Sequence, residues 1–429
     1  MSEDGRKNMS EPTEESVRAE VSAWLKVNWD PDLDLVQWRS LLADTGWGMP
    51  SWPKEWYGKG LPAALASAVQ DEFRRIGAIG VARSGVRLLA AGTLLEHGSD
   101  ALKKNFLRRI LTGEDNWCQL FSEPGSGSDL AGAMTRADLR DGKWIINGQK
   151  VWTSGAHHAQ YGLLLARTDW NVPKHQGLSY FIIEMEKPGV QVQPLRQMNG
   201  HATFNQVFFT DAVVPQENLV GSLGEGWKVA TTTLMHERRL AADGIITGLP
   251  GKGGKQTGKA YEQERVETAK VNELYRWYPQ RAGRPDLVIE RAKAAGKNHD
   301  PVVRQEIARL LTMNRAAQWT AKRARAAAQL GRVPGPEGSL GKLVGSHVAR
   351  ASSYVHTLIN DADAMLTGED SPMKGLIAEI LVSTPAASIA GGTDEIQRNI
   401  ISERVLGMPK EPITGLDRPY KDVPKNTVS

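Results

Sequence analysis

The sequence predicts an α+β protein in three parts: an N-terminal all-helical domain over residues 1–116, a central β-barrel or sandwich domain over 117–225, and a C-terminal four-helix bundle over 226–410, with a tail at 411–429. Apolar residues recur every three or four positions on both flanks, as helices require, while turn dipeptides punctuate short β-prone runs in the middle. The texture changes near Trp117 and again after Gly226.

From Glu15 to Leu111 the helical spacing is clearest in LLADTGWGMP and in ALASAVQDEFRRIGAIGVARSGVRLLAAGTLLEHG, where Gly98 sits at a helix stop. The middle begins with DGKWIINGQKVWTSG, whose DG and NG pairs mark turns, and continues through YGLLLART, LSYFIIEM and FNQVFFTDAVVP to about Pro215. Helical texture returns in WKVATTTLMHERRLAADGI, then in PVVRQEIARLLTMNRAAQWTAKRARAAAQLG, then in GSLGKLVGSHVARASSYVHTLINDADAML, and last from about Ala386 to Leu406. Four such blocks suggest a bundle. Between the first two, the Gly/Lys-rich stretch at about 246–262 reads as an exposed loop. It contains G-x-x-x-x-G-K from Gly253 to Lys259, but Ala260 replaces the hydroxyl residue that would ligate magnesium and no strand precedes it, so no nucleoside triphosphate site is expected.

Composition excludes more than it assigns. Net charge is +4 and the basic residues are dispersed, so no nucleic-acid partner is expected. On the basic helix, Leu310, Leu311, Ala317, Ala321, Ala324 and Ala328 form a stripe, which leaves Arg315, Lys322, Arg323 and Arg325 for a solvated outer face. The single cysteine, Cys118, permits no internal disulfide and reads as a packed core thiol in a cytoplasmic protein. The polar, acidic start shows no secretory signal, and no uninterrupted apolar run reaches the ~18 residues of a membrane span. No metal site is expected, because the histidines are scattered and His157 and His158, if on a strand, point to opposite faces. Neither a G-x-G-x-x-G opening nor a G-x-S-x-G elbow occurs.

One stretch is sharper. FSEPGSGSD, Phe121 to Asp129, gathers three serines, two glycines, a proline and two carboxylates, which suits either a linker or a loop whose backbone amides approach a ligand. Four stretches in order, CQLFSEPGSGSDLAGAMTRA (118–137), INGQKVWTSGAHHAQYGLLLART (146–168), NQVFFTDAVVPQENLVGSLGEGWKVATTTLMHER (205–238) and IAGGTDEIQRNIISERVLGMP (389–409), resemble the acyl-CoA dehydrogenase family. The resemblance covers most of the chain and implies FAD as cofactor and an acyl-CoA thioester as substrate. It implies that Gln119, Phe121, Ser122, Gly127 and Ser128 lie against flavin, with Ser128 and Arg238 also on substrate. Trp152 matches the tryptophan beside the isoalloxazine ring, in company with Thr153 and Ser154, although a plain β-core role is the alternative. Thr393 and Glu395 match positions near the ribityl and pyrophosphate, although Thr393 also suits a helix N-cap.

Desaturation between the α and β carbons needs a base for the α proton while a hydride leaves for flavin N5. Many family members carry that base just before the Gly-Thr of the last motif, where this chain has Gly391. The family's second position falls on Glu237 in LMHERRL, which the resemblance therefore makes the catalytic base; the alternative is a helical Glu paired with Arg238 or Arg239. Homotetrameric members also carry Arg-x-x-Phe-Gly and Gln-x-x-Gly-Gly-x-Gly, and here those places read ERAKAAGKNHD and DADAMLTGEDSP. Either this chain binds the cofactor differently or a second, non-identical subunit supplies those contacts, as in the heteromers that act on steroid side-chain thioesters. The expected assembly is a homo-oligomer or such a heteromer, with an electron-transfer flavoprotein as acceptor. A catalytically silent or half-site subunit is the competing reading.

Overall fold

The computed structural model describes residues 12–82, 85–242, 256–329, 335, 338–410, 412 and 417–424. Most of the Gly/Lys-rich loop and the first residues of the chain fall outside that set.

The N-terminal part holds α1 (Glu14–Asn28), α2 (Leu35–Thr45), α3 (Ala63–Ile76), α4 (Gly85–His97) and α5 (Asp100–Thr112). Thr13 starts α1 with a reciprocal capping box to Ser16, and Val17, Val21 and Leu25 bury its inner stripe at i, i+4 and i+8. The long periodic run beginning at Ala63 is two helices. Gly77 at φ +84° closes α3 in the left-handed region. The chain then runs past the end of α5, with the Ala82 amide donating to the Leu111 carbonyl at 2.9 Å.

The central part is one mixed, eight-stranded sheet. Its strands are β1 (Trp117–Leu120), β2 (Arg136–Arg140), β3 (Lys143–Ser154), β4 (Tyr161–Arg167), β5 (Leu178–Glu184), β6 (Val190–Leu195), β7 (Phe204–Pro215) and β8 (Leu219–Val220). The order is β6-β7-β3-β2-β4-β5-β8, and β1 joins β4 in parallel. Strands β4 and β5 alternate between two cores. Leu163, Leu165, Tyr180 and Ile182 face the N-terminal helices, whereas Leu164, Ala166, Phe181 and Ile183 face the interior of the β domain with Trp144 and Phe209. Cys118 belongs to that interior, and burial raises its thiol pKa, so it is packing rather than a nucleophile.

Helix α6 (Gly226–Ala242) lies on α4 and β5, where the Thr233 hydroxyl meets Thr93 at 2.9 Å and Tyr180 at 3.0 Å. Two readings need correction here. The part of the expected 246–262 loop that is described becomes helical at Lys259, opening α7 (Lys259–Glu273), which packs on the N-terminal helices. Its inner face holds the half-buried Glu267, whose two oxygens take Arg39 (2.5 Å) and Arg87, so an apolar periodicity search passes over it. Secondly, His157 and His158 sit in a 3-10 turn with ring centroids 4.0 Å apart, not on opposite faces of a strand. No cluster of metal-ligating side chains is found among the described residues.

The C-terminal part continues with α8 (Tyr278–Arg281), α9 (Val288–Ala294), α10 (Pro301–Gln329), α11 (Gly338–Asn360), α12 (Leu376–Ser383), α13 (Pro385–Ile389) and α14 (Asp394–Ile400). Its own core gathers Val288, Val303, Leu310, Val348, Val355 and Ile359. On the stripe expected on α10, Leu310 is buried and Ala317 half-buried, while Leu311 (39%), Ala321 and Ala324 are exposed; Trp319, outside that stripe, is exposed at 59%. By length and composition the stretch 372–405 passes as a membrane span, which the search for uninterrupted apolar runs did not foresee. It is not one straight helix: Pro385 and the positive-φ pair Gly391 and Gly392 divide it into short pieces.

Candidate active site

The loop from Phe121 to Met134 is held at its base by a buried ion pair. Glu123 and Ser126 exchange backbone hydrogen bonds (2.8 and 3.1 Å), and the Ser122 carbonyl accepts the Val151 amide at 2.8 Å. The Glu123 carboxylate accepts the amides of Met134 (2.6 Å) and Thr135 (2.9 Å) from the far leg of the loop. Lys150, fully buried on β3, donates its Nζ to Glu123 (2.8 Å) and to the Phe121 carbonyl (2.9 Å). Burial alone would raise the Glu123 pKa, but the Lys150 ammonium and these donors hold it below the usual carboxylate range. One carboxylate and one ammonium thus join both legs of the loop to the sheet. Phe121 is buried against Tyr180, Ser122 is half-buried, and Gly127 and Ser128 form an exposed tip. A Cβ at Gly127 would meet nothing within 4 Å, so the backbone there is bare to a ligand.

Beside this loop, β3 carries one extra residue between its pairings Lys150 with Val207 and Thr153 with Asn205. The bulge holds Trp152 at φ +59°, a left-handed backbone that is costly for a bulky residue. Its indole is 56% exposed and meets Phe204 edge-on at 5.7 Å, so it is not core filler. Ser154 is half-buried, while Thr153 turns inward and its hydroxyl has no partner among the described residues. The Thr153 carbonyl accepts from Asn205 at 3.0 Å.

Glu237 lies on α6 and is half-buried; the Gln119 side chain of β1 hydrogen-bonds its carboxyl. Desolvation raises its pKa above the ordinary glutamate range, opposed by Gln119, Arg238 and Arg281. Strand β1 leads directly into Phe121, so this acid stands next to the root of the loop. Arg238 itself is exposed. Opposite Glu237 are residues that the sequence reading missed. Tyr275 and Tyr278, 4.9 Å apart edge to face, both feel the Glu237 charge, and burial raises both phenols. Trp277 links Tyr278 (5.0 Å) to Phe204 (6.1 Å), which continues the aromatic wall back to Trp152. The cluster YRWYPQR at 275–281 was the available signal, but it lies between the stretch read as loop and the next helical block.

Thr393 and Glu395 are placed elsewhere. Thr393 caps α14, its hydroxyl accepting from the Ile396 amide at 3.3 Å, and Glu395 is exposed beside Arg398. Helix α14 packs mainly on α11. A cavity of about 290 Å³ between α7 and the N-terminal helices, lined by Trp47, Phe73 and Tyr261 among others, shares no residue with Glu237's surroundings.

An exposed, strained indole beside an unfilled glycine loop, with a desolvated carboxyl at the loop's root, is an arrangement that fits a flat aromatic ligand and a proton-transfer partner. The donors suit FAD: backbone amides at a glycine tip, small hydroxyls and a stacking ring.

Three family models match the chain: acyl-CoA dehydrogenase N-terminal domain over residues 3–114, middle domain over 118–212 and C-terminal domain over 286–406. Acyl-CoA dehydrogenase IpdE1 of Mycobacterium tuberculosis is 32% identical, the match covering 92% of this chain and 98% of that protein. Acyl-CoA dehydrogenase FadE34 of the same organism is 34% identical over 86% of this chain, which spans only 46% of that longer relative. Among solved structures, the Tcur3481-Tcur3483 steroid ACAD superposes with a TM-score of 0.63 at 25% identity, covering 94% of this chain and all of that one.

Proposed function

The chain belongs to the acyl-CoA dehydrogenase family, an oxidoreductase family acting on acyl-CoA, and from that premise we propose that it desaturates an acyl-CoA thioester with FAD, using Glu237 as the α-proton base. The observation that carries this reading is the desolvated Glu237 carboxyl, hydrogen-bonded to Gln119 at the root of the glycine loop. Bound FAD supplies the acceptor for the β-hydride. The protein does the rest. Gln119 orients the carboxyl, Arg238 and Arg281 keep part of it ionised, and burial makes the carboxylate a stronger proton acceptor than a solvated one. Phe121, Ser122, Gly127 and Ser128 present backbone and hydroxyl donors to flavin and thioester. Trp152, with Thr153 and Ser154 behind it, offers the ring wall. Gly391 leaves no side-chain acid at the other position the family uses.

Glu237→Gln keeps the hydrogen bond to Gln119 but removes the base. The expected outcome is retained flavin absorbance, lost bleaching by acyl-CoA, and turnover down by roughly 10²–10⁴-fold. Full residual turnover would rule Glu237 out.

A second reading concerns assembly. The bare apolar face of α10 and the missing Arg-x-x-Phe-Gly support a half-site subunit completed by another chain, in which Thr393 and Glu395 serve a flavin of the assembled complex. The similarity to a steroid ACAD of two named chains agrees with a heteromer and a bulky substrate. Electrons then pass to an electron-transfer flavoprotein in the cytoplasm. A chain that is colourless alone and yellow only with its partner would select this form.

A further inference from the structure

The last described segment of the chain, residues 417–424, returns to the β domain and reaches the far leg of the glycine loop. The Tyr420 amide donates to the Val172 carbonyl at 2.9 Å, the Lys421 amide to Trp170 at 3.0 Å, and Lys421 Nζ to Asn171 Oδ1 at 2.9 Å. Tyr420 is only 3% exposed. Its hydroxyl donates to the Gly132 carbonyl at 2.5 Å. Its ring lies 3.5 Å from the guanidinium carbon of Arg167, a fully buried cation that donates to the carbonyls of Ala131 (2.7 Å), Ala133 (3.1 Å) and Lys174 (3.0 Å).

Three successive carbonyls, at residues 131, 132 and 133, are therefore fixed by two side chains that stack on each other. The other leg is fixed by Lys150 and Glu123. Between these anchors stands the exposed tip at Gly127 and Ser128. The hydroxyl that reaches the Gly132 carbonyl comes from a segment more than 280 residues away in sequence. We infer that Tyr420 is a positioning residue: the C-terminal segment clasps the loop's far leg and so sets the pose of the amides and hydroxyls at its tip. The inference rests on the function proposed above only for what the tip binds.

The test uses the full chain carrying Tyr420→Phe, which deletes the Gly132 hydrogen bond and keeps the ring on Arg167, with Tyr420→Leu as the stronger change. Hydrogen exchange of the peptide spanning 121–136, measured without flavin, is expected to rise about fivefold in Tyr420→Phe while α1, α2 and α5 exchange as in the parent. With flavin bound, the FAD dissociation constant and the KM for an acyl-CoA are expected to rise about as much while kcat holds. Unchanged exchange in the loop, or an increase spread evenly over the molecule, overturns the inference. If Tyr420→Leu does not fold, Tyr420→Phe decides. Should the parent bind no FAD by itself, the single-chain form of the functional proposal fails while the exchange measurement still judges the clasp.

Discussion

The glycine loop and the outer half of α10 place their energetic burdens differently. In the loop, the buried charges Glu123, Lys150 and Arg167 are all satisfied by groups of the same chain. On α10, Leu311 and Trp319 stay bare, and the chain offers nothing to cover them among the described residues. A scattered exposed apolar residue is ordinary, but two large ones along one long helix mark a candidate contact surface. The contrast teaches that the glycine loop's buried charges are satisfied within one polypeptide, while the outer side of α10 keeps apolar surface that the described residues leave uncovered.

The largest effect that would break this comparison is expected at Lys150. Lys150→Met strands a buried carboxylate, and the cost is put at ~3–5 kcal/mol in denaturant unfolding. Adding Glu123→Gln is expected to restore about half or more, because the unpaired charge is gone. A mild cost for Lys150→Met alone would mean that the loop is not self-sufficient. Next comes Trp319→Glu. It should weaken association roughly tenfold or more in sedimentation and leave exchange protection of the loop unchanged. An assembly that ignores the substitution would show that α10 is free surface.

The smallest expected effect is a shift in pH. With Glu237 as the proposed base, its raised pKa is expected to place the acid limb of kcat/KM above the ordinary glutamate range, with activity gained as pH rises through it. The Arg281 charge pulls that pKa down, so Arg281→Leu should move the limb to higher pH with little change on its plateau. A limb that stays in place would detach Arg281 from the site. Linkage gives the accompanying stability: an acid whose pKa is raised by folding favours the fold below its unfolded value and loses that contribution as pH rises through the folded one.

The helical flanks and the sheet between them were legible because their buried faces are apolar at periods of 3.6 and 2. The family motifs pointed to Glu237, Trp152 and the loop, and the fold brings the acid to the loop's root and the indole beside it. What the sequence hid is charged or distant. Helix α7 sets the half-buried Glu267 against Arg39 and Arg87, so its inner face looks like a surface. Lys150 and Glu123 stand in plain sight in GQKVW and FSEPG, yet nothing local says that residues 27 positions apart form a dry pair. Tyr275, Tyr278 and Arg281 acquire meaning only once α7 carries them across to α6. The pair His157 and His158 was misread because a strand was assumed where the chain makes a tight turn.

The inserted residue in β3 also freezes that strand's length. Lys150 and Thr153 both point inward only because three steps on this strand match two on β7. Deleting one position between them would leave these two inward residues two steps apart, in register with β7 and in simple alternation, and would abolish the bulge that gives Trp152 its left-handed backbone. The indole's exposed stance therefore depends on the strand's residue count as much as on the identity of position 152.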